Sequence, residues 1–321
     1  WPAYSVHRGR LHMLLYEEVL RRAGPDAVQT GWRATGFDTQ GDEAVLNLEN
    51  RSGETKSVRG AVLVGADGIH SAIRRQMQPH EDEPQWSGAI LWRGTTLAKP
   101  FLSGASMALI GHDGLRFVTY PISKPDPETG LAVINWICNL QHDPSIKFRK
   151  EDYSRKADLD DFLPAFEQIK FDWMDAPALI RGAQEVFEYP MVDRDPLESW
   201  TVGRTTLMGD AAHAAYPVGS NGAGAGITDA RKLVAAFLQH GLSPDALLAY
   251  EAEMLPATTK IILMNRTAGP DKILDIVEKR CGGQFDDIND VIPNEEMAEH
   301  AATYKRIAGY GIAETNERPP I

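Results

Sequence analysis

Hydrophobic residues recur at helical spacing near the start of the chain. Residues 5–23 are predicted to form a helix because their apolar side chains fall on one face and Gly24-Pro25 follows. The side chains on that face are Leu11, Leu14, Leu15, Val19 and Leu20.

Alternation of apolar and polar residues predicts strands over 35–48 and 54–64, on either side of a turn at residues 50–53. The second strand segment ends in a short buried strand, residues 61–64. Between about 85 and 189 the apolar segments are longer and rich in aromatics, which indicates a mostly antiparallel sheet. Its predicted strands are 89–96, 106–110, 115–122, 131–140 and 186–191.

The second half of the chain favours helices. A short strand is predicted over 205–208 and ends at Gly209-Asp210, and a helix begins at Ala223. The further predicted helices are 223–240, 244–263, 270–279 and 295–308, and a charged, partly helical connection covers 153–170.

These elements predict an α/β fold in which a Rossmann-like nucleotide-binding domain is interrupted by a mostly antiparallel β-sheet domain and followed by a helical tail. The predicted boundaries are 1–83 and 193–262 for the two parts of the nucleotide-binding domain, 84–192 for the sheet domain and 263–321 for the tail. A substrate cavity is expected between the two domains.

The segment 203–222 combines a strand, an acid, a glycine-rich turn and a helix start. The N–H groups at a helix N-terminus can face an electron-rich ligand. Asp210, at the end of the strand, can accept a hydrogen bond from a hydroxyl group such as that of a ribose. Asp210 could instead cap the next helix. His213 lacks partners at metal-ligand spacing, so a structural or ligand-side histidine is favoured and no metal site is predicted. Asp229 could belong to the motif or to the surface.

Three motifs carry a resemblance to a known family. The segment 203–222 resembles the second FAD motif of the single-component flavoprotein aromatic hydroxylases, which include enzymes similar to p-hydroxybenzoate and salicylate hydroxylases. Residues 64–74, Val-Gly-Ala-Asp-Gly-Ile-His-Ser-Ala-Ile-Arg, resemble its Asp-Gly motif, and residues 7–11, His-Arg-Gly-Arg-Leu, resemble the segment whose arginine lies near the flavin. The tail, 265–316, looks most similar to the phenazine-1-carboxylate hydroxylase branch.

The resemblance implies FAD as cofactor and assigns residues to it. The implied FAD-binding residues are Arg8, Asp67, Gly68, Arg74, Gly209, Asp210, Pro217, Gly219, Ser220, Asn221 and Gly222. Within this set Pro217 and Gly219 would flank the reacting part of the flavin. Arg74 would meet phosphate charge.

Aromatic side chains on the predicted sheet are candidates to stack on a flat substrate, with core packing as the alternative use. The substrate candidates are Trp92, Phe117 and Tyr120, and Trp136 shares the same pattern. Arg93 and Arg116 are candidates to hold a substrate carboxylate.

The family opens with a Gly-x-Gly-x-x-Gly fingerprint between a strand and a helix, which cradles the FAD pyrophosphate. No such fingerprint opens a first βαβ unit here, since Gly222-Ala-Gly-Ala-Gly226 follows the predicted flavin-side turn. We therefore expect the N-terminal part of the FAD domain to be missing, and the chain alone to bind FAD poorly.

The resemblance implies a monooxygenase that hydroxylates an aromatic compound with NAD(P)H and O2 through a flavin C4a-hydroperoxide. A flavin oxidase, dehydrogenase or epoxidase on the same scaffold is the alternative, because a fold does not fix a reaction. A truncated, non-catalytic remnant is a third hypothesis. The small aromatic substrate and O2 would be the partners, and a homodimer is left open.

Composition narrows the class of protein further. The chain has 321 residues, 43% of them hydrophobic, and a net charge of −12, which excludes a disordered chain and argues against a nucleic-acid surface. Its two cysteines, Cys138 and Cys281, show no metal or redox spacing and favour a cytoplasmic protein. No apolar run is long enough for stable insertion in a membrane.

Overall fold

The computed structural model describes residues 4–112, 114–143, 155–220, 222–267 and 271–307, with the backbone alone at 220 and 303–307. Within this part the chain divides into two compact units. Unit 1 comprises 1–28, 86–191 and 271–297, and unit 2 comprises 29–85, 192–270 and the chain beyond 297.

The described residues form strands in both units. The strands are β1 Trp32–Gln40, β2 Glu43–Asn50, β3 Thr55–Gly60, β4 Leu63–Gly65, β5 Gln85–Ala98, β6 Ala108–His112, β7 Leu115–Pro121, β8 Ala132–Gln141, β9 Lys170–Phe171, β10 Met174–Asp175, β11 Val186–Asp193 and β12 Thr205–Leu207.

Helices make up most of the remaining regular structure. The α-helices are α1 Arg8–Ala23, α2 Ala72–Met77, α3 Leu163–Phe166, α4 Ala176–Arg181, α5 Asp210–His213, α6 Gly222–His240, α7 Pro244–Thr267, α8 Lys272–Cys281, α9 Ile288–Val291 and α10 Asn294–Ile307. Short 3-10 turns lie at Pro25–Ala27, Leu159–Asp161 and Val218–Ser220.

Unit 1 is built on a five-stranded sheet with the strand order β11-β5-β8-β7-β6. The pairs β5–β8, β8–β7 and β7–β6 are antiparallel. Successive side chains of each strand point to opposite faces of the sheet, so burial alternates along β8 between buried and half-buried residues. The sheet therefore has one face that carries the core and a second, partly open face.

The core face of this sheet is aromatic. Trp92 is 2% exposed and stacks on Phe162, with ring centroids 4.9 Å apart and an angle of 8° between the planes. Trp136 and Phe117 are fully buried in the same cluster. Fully burying a large apolar side chain contributes roughly 1.5–3 kcal/mol to stability, so this layer is a main source of the stability of unit 1.

A glycine in β5 makes room for the largest of these side chains. Gly94 is paired in register with Trp136 on β8. A Cβ built at Gly94 would lie 2.3 Å from the Cζ2 atom of Trp136. Only a residue without a side chain therefore fits beneath the indole ring.

Unit 2 contains two small sheets and a pair of long helices. β1, β2 and β3 form an antiparallel sheet, while β12 pairs with β4 in parallel. α6 packs against α7. Their apolar residues join a core that includes Leu207, Leu233, Leu247 and Tyr250.

Several predicted boundaries differ from the observed ones. The strand predicted over 35–48 is a hairpin, because Gly41 has a positive φ of 60° and turns the chain between β1 and β2. The first helix begins at Arg8 rather than at residue 5, since the side chain of His7 accepts a hydrogen bond from the Arg10 N–H (3.4 Å) and caps it.

The apolar face predicted for α1 does not enter a core. None of its described side chains is buried, and Leu14 is 63% exposed. Within unit 1, α1 packs mainly on the 3-10 turn that follows it. The short elements β9, β10, α4 and α9 were not predicted, because each is too short to establish a periodicity.

We predict that Gly94→Ala destabilises the protein by about 1–3 kcal/mol, because the new methyl group overpacks the core against Trp136. Urea unfolding followed by tryptophan fluorescence measures the change. Gly60→Ala is the control, since its Cβ would lie 3.4 Å from the Val62 carbonyl oxygen, an ordinary contact. Equal stability of the two variants would contradict this account of the sheet.

Candidate active site

Two of the sequence motifs, 64–74 and 203–222, lie in unit 2, where each continues from the carboxyl end of one strand of a parallel pair. Leu207 of β12 lies in register with Gly65 of β4, and the Met208 N–H donates to the Gly65 carbonyl at 2.9 Å. Asp67 and Asp210 follow these strand ends by two and three residues. The carboxyl ends of parallel strands are where open α/β sheets bind ligands.

Asp210 offers an unused acceptor at this edge. It is the first residue of α5 and is exposed, and its carboxylate makes no hydrogen bond or ion pair with any residue that the structure describes. The cap position is taken by Gly209, whose φ of 60° and ψ of −142° suit a glycine. The alternative that Asp210 caps the next helix is therefore wrong.

A buried carboxylate fixes the backbone in front of Asp210. Asp229 of α6 is fully buried, and its Oδ2 atom accepts from the Gly209 N–H at 2.9 Å. The same oxygen lies 2.6 Å from Nε2 of His213, the last residue of α5. Asp229 is thus part of the motif, and it connects α6 to both ends of α5.

Rings close this buried pair off from solvent. The indole of Trp200 packs on His213, with ring centroids 5.6 Å apart, and on Tyr250 at 5.8 Å. The Tyr250 hydroxyl donates to the Leu207 carbonyl at 3.3 Å, and its pKa is raised by burial and by the neighbouring Asp229 carboxylate. In such an environment an unpaired charge would be costly, so the pair with His213 matters for stability.

Arg74 holds the other side of α5. It is 1% exposed, and its Nη1 donates to the carbonyls of Ala211 at 3.1 Å and Ala212 at 2.9 Å. Its Nη2 donates to the Asp195 carbonyl at 2.8 Å, and its Nε and Nη2 bond the Glu81 carboxylate. Every guanidinium nitrogen is engaged by protein acceptors, so the sequence prediction that Arg74 meets a phosphate is wrong for this structure.

Asp67 is exposed and serves the helix that follows it. Its Oδ1 accepts from the Ser71 hydroxyl and its Oδ2 from the Ala72 N–H at 2.8 Å. Ser71 caps α2 by accepting from the Arg74 N–H at 2.9 Å. Gly68 supplies the positive φ, 80°, that the turn between them requires. Asp67 thus has a structural role, and any contact with FAD uses its remaining lone pairs.

The predicted flavin-side turn lies between α5 and α6. Pro217 is exposed, and Gly219 interrupts the 3-10 turn Val218–Ser220 with a φ of 75°. Asn221 lies outside the described residues. α6 begins at Gly222, one residue earlier than predicted, and its first turn is exposed.

α7 anchors the start of this turn. The Asn265 side-chain amide donates to the Tyr216 carbonyl at 2.9 Å, and the Tyr216 hydroxyl donates to the Gln85 carbonyl at 3.4 Å. Burial, followed by the nearby Asp193 carboxylate, raises the pKa of Tyr216 to about 12, so its hydroxyl stays protonated. Arg266 bonds both oxygens of Asp193, at 2.6 and 2.9 Å.

Unit 1 contains a cavity of about 850 Å³ on the open face of its five-stranded sheet. The N-terminal end of α1 contributes His7, Arg8 and Arg10 to its wall. The structure therefore places Arg8 beside the open face of the sheet, a location that the sequence did not predict.

Of the predicted substrate aromatics, one lines this cavity. Tyr120 does so, whereas Trp92 and Phe117 belong to the opposite, core face and are 2% and 0% exposed. Trp136 is also core, and its Nε1 donates to the Thr96 hydroxyl at 3.1 Å. The prediction that Trp92 and Phe117 stack on substrate is wrong, because their side chains point away from the open face.

Sequence reasoning missed Asn135 and Tyr189, which line the cavity. Both occupy open-face positions in strands whose alternate residues are buried, Asn135 between Ile134 and Trp136. Because side chains alternate between the two faces of a strand, the odd or even position of each residue could have shown which face it occupies. Arg93, a predicted carboxylate ligand, lines the cavity as well.

Arg116, the other predicted carboxylate ligand, has protein partners. Its guanidinium pairs with Asp271 at 2.7 Å and with Asp275 of α8 at 2.9 Å. The prediction that Arg116 binds substrate is therefore wrong, because two carboxylates of its own chain already neutralise it.

Among the described residues, no three His, Cys, Asp or Glu side chains come together as metal ligands. Within the same part of the chain, no helix has the length and apolar character needed to cross a bilayer.

The chain matches a family model and several known proteins. The family model described as an FAD binding domain matches residues 7–264. The chain is 40% identical over 269 residues to the phenazine 1,6-dicarboxylic acid hydroxylase PhzS of Lysobacter antibioticus, a match that covers 83% of this chain and 66% of the relative. It is 30% identical over 274 residues to the 3-amino-4-hydroxybenzoate 2-monooxygenase PtmB3 of Streptomyces platensis, covering 84% and 63%.

Solved structures show the same fold. A salicylate hydroxylase substrate complex superposes with a TM-score of 0.64 at 22% identity, covering 97% of this chain and 76% of that one. Klebsiella pneumoniae HpxO complexed with FAD and uric acid superposes with a TM-score of 0.63 at 23% identity, covering 92% and 67%.

The chain belongs to the FAD-binding domain family, and the resemblance drawn from its three motifs is confirmed. It spans just under two thirds of the length of the curated relatives named above.

We predict that Asp229→Leu lowers the free energy of unfolding by about 2–4 kcal/mol, because it removes a buried charged acceptor and leaves the Gly209 N–H and His213 unpaired. Hydrogen–deuterium exchange of peptides covering 205–216 should speed up, and urea unfolding measures the loss. Asp42→Asn is the control, since the Asp42 side chain is 98% exposed and its change should stay within about 0.5 kcal/mol. Unchanged exchange at 205–216 would contradict the role given to Asp229.

Proposed function

We propose that this chain is part of an FAD-dependent monooxygenase that hydroxylates an aromatic substrate with NAD(P)H and O2. The observation that supports the proposal most directly is the edge of the β4–β12 pair. There the Asp210 carboxylate, which bonds none of the residues that the structure describes, follows a glycine of positive φ, and α6 begins with an exposed first turn. Relatives that are named as a hydroxylase and a monooxygenase support the same conclusion.

The residues at this edge fit FAD. Asp210 has acceptor oxygens that bond no described residue and could accept from hydroxyls of the ribityl chain. A Cβ at Gly222 or Gly226 would meet no described atom within 4 Å, so the described side chains do not cover the start of α6. The N–H groups of its first turn and the helix dipole favour negative charge beside them.

Other predicted contacts are part of the proposal. Asp67 and Gly68 would border the pyrophosphate, and Arg8 the flavin. The turn from Pro217 through Gly219, Ser220 and Asn221 would border the reacting part of the ring.

When bound, FAD would supply the redox chemistry, taking a hydride from NAD(P)H and activating O2 for transfer to a ring carbon. The protein contributes placement and electrostatics. Asp210 would hold the sugar chain, while α6 would stabilise the negative charge of the reduced ring. Asp229 and Arg74 would keep the turn that carries Asp210 rigid.

We propose that the functional domains follow the boundaries predicted from the sequence, with FAD-binding parts at 1–83 and 193–262 and the substrate domain at 84–192. The protein would act in the cytoplasm. Its two cysteines support that location, because Cys138 and Cys281 are both free thiols.

The reaction is tested by product analysis under ¹⁸O₂ with the complete protein that contains this chain, FAD, NAD(P)H and an aromatic substrate. We expect one ¹⁸O atom in a ring hydroxyl, because the oxygen comes from O2. An unlabelled product would indicate an oxidase or dehydrogenase, and a labelled epoxide would indicate an epoxidase. A colourless protein that does not bind added FAD would indicate a non-catalytic remnant.

The role of Asp210 is tested separately. Asp210→Ala should weaken FAD binding about 10- to 100-fold, the effect of losing hydrogen bonds to a charged acceptor. Stability without FAD should hardly change, since Asp210 bonds no described residue. Titration of flavin fluorescence measures the affinity, with Asp42→Ala as the control. Equal FAD affinity of the two variants would remove Asp210 from the site.

A further inference from the structure

Two consecutive side chains in the last turn of α7 hold two other segments of unit 2. Asn265 bonds the flavin-side turn, residues 214–220, and Arg266 bonds Asp193 and Asp195 at and just after the end of β11. We propose that Asn265 is a positioning residue for the flavin-side turn, and that the Asp193–Arg266 ion pair keeps Asn265 in place. We call these contacts the α7 clamp. Its effect on a flavin rests on the proposed function, whereas the clamp itself does not.

Asn265 holds the carbonyl around which the turn folds. It is 6% exposed, and its Nδ2 atom donates to the Tyr216 carbonyl at 2.9 Å. The same carbonyl accepts from the Val218 N–H at 2.7 Å, which closes a three-residue turn with Pro217 at its centre. A carbonyl oxygen has two lone pairs, and these two donors use both. The position of Pro217 is therefore fixed from the side of α7.

The other polar atom of the Asn265 amide indicates that stability alone does not explain this residue. Its Oδ1 atom is buried and bonds none of the residues that the structure describes. A buried acceptor without a partner costs free energy that an apolar side chain of similar volume, such as leucine, would not. What asparagine adds is the bond to the Tyr216 carbonyl, so its role is to set the position of the turn.

The Asp193–Arg266 pair fixes the helical turn that carries Asn265. Asp193 is fully buried, and its Oδ2 and Oδ1 atoms accept from Nε and Nη2 of Arg266 at 2.6 and 2.9 Å. Nη1 of the same guanidinium donates to Asp195 at 2.6 Å. Two parallel bonds between planar groups have a defined geometry, so the end of α7 cannot slide along β11.

This ion pair is better explained by geometry than by stability. Burial raises the pKa of Asp193, and the hydrogen bond from Arg266 opposes that shift. The direction of the shift reflects the cost of removing the carboxylate from water. Because that cost offsets much of the attraction within a buried pair, such a pair adds little net stability. Its bidentate contact still defines where the neighbouring residue, Asn265, lies.

The segment after β11 holds the flavin-side turn at further points. The Arg194 N–H donates to the Ala214 carbonyl at 3.2 Å. The Tyr216 hydroxyl donates to the carbonyl of Gln85, and the Gln85 side chain in turn bonds Asp195. The turn, residues 193–195 and the end of α7 thus form a closed cycle of bonds. In such a cycle, a displacement of the end of α7 also moves the turn.

A small displacement of the turn matters because of the part that the proposed function gives it. Pro217 and Gly219 would border the reacting part of the flavin. Misplacement of a reacting group by roughly 1 Å can lower a rate about 100-fold. The α7 clamp would therefore control the rate of flavin reduction while contributing little to the stability of the fold.

Hydrogen–deuterium exchange of the complete protein without FAD tests the clamp. Asn265→Leu removes the bond to Tyr216 together with the unpaired Oδ1, so the midpoint of urea unfolding should hardly change. Exchange of peptides covering 214–219 should become about 2- to 10-fold faster, the fold-change that corresponds to one net hydrogen bond. Lys260→Met is the control on the same helix and should change neither value, since Lys260 is exposed.

Two results of this experiment would overturn the proposal. One is unchanged exchange at 214–219 in Asn265→Leu. The other is a large fall in the urea midpoint with faster exchange throughout the protein, which would give Asn265 a structural role only.

Anaerobic reduction of the bound flavin by NAD(P)H, followed by the loss of flavin absorbance, tests the effect on the flavin. We expect the rate constant at saturating NAD(P)H to fall about 10- to 100-fold in Asn265→Leu and to stay unchanged in Lys260→Met. Arg266→Lys keeps a positive charge beside Asp193 but loses the bidentate contact, so a smaller fall is expected.

The double variant tests whether the ion pair acts through Asn265. If it does, Asn265→Leu combined with Arg266→Lys should reduce the flavin at the rate of Asn265→Leu alone. Fully additive losses would overturn this link. Should Arg266→Lys not fold, exchange and flavin reduction in Asn265→Leu decide.

The clamp and the proposed function fail separately. Faster exchange at 214–219 with an unchanged rate of flavin reduction would overturn the role of Asn265 toward the flavin. An unlabelled product under ¹⁸O₂ together with slower flavin reduction in Asn265→Leu would remove the hydroxylase and support the clamp. If the complete protein binds no FAD, the proposed function fails, and the exchange comparison still decides the clamp.

Discussion

The structure of unit 2 depends on one buried carboxylate. The Oδ2 atom of Asp229 accepts a hydrogen bond from the Gly209 N–H at 2.9 Å and lies 2.6 Å from Nε2 of His213. A single side chain of α6 therefore fixes the backbone on both sides of Asp210. Arg74 completes the arrangement by bonding the carbonyls of Ala211 and Ala212. α5 has four residues and could not be stable alone, since short helices lack the hydrogen bonds that offset nucleation. Buried charges therefore hold in place a turn whose Asp210 side chain is exposed.

Unit 1 has a packed core on one face of its five-stranded sheet and a cavity on the other. The core face carries the stacked rings of Trp92 and Phe162 and the indole above Gly94. The opposite face carries Arg93 and Asn135, whose donors lack protein partners. Because neighbouring residues of a strand face opposite sides, an inert core and a polar cavity can lie one residue apart. Changes on the open face can therefore leave the packing of the core intact.

The sequence predicted much of this fold, since long periodic segments such as α6 and β8 have unambiguous patterns. It also predicted the short strand that ends before Gly209-Asp210 and the helix that follows near residue 223, because a strand, an acid and a glycine turn have a local signature. The sequence could not predict that the guanidinium groups of Arg74 and Arg116 bond to acceptors of the protein itself. Their partners, Ala211 and Asp271 among them, are distant in sequence, and such pairings follow only from the tertiary structure. Trp92 and Arg93 show the same limit, since the choice of face for adjacent residues is set by the packing of the whole sheet.

We propose that the turn held by Asp229 presents Asp210 to the sugar chain of FAD. A crystal structure of the complete protein with FAD bound tests it most directly. We expect density for the ribityl hydroxyls within hydrogen-bonding distance of the Asp210 carboxylate, with the Gly209 N–H still bonded to Asp229. Density for FAD elsewhere, with Asp210 facing solvent, would contradict it.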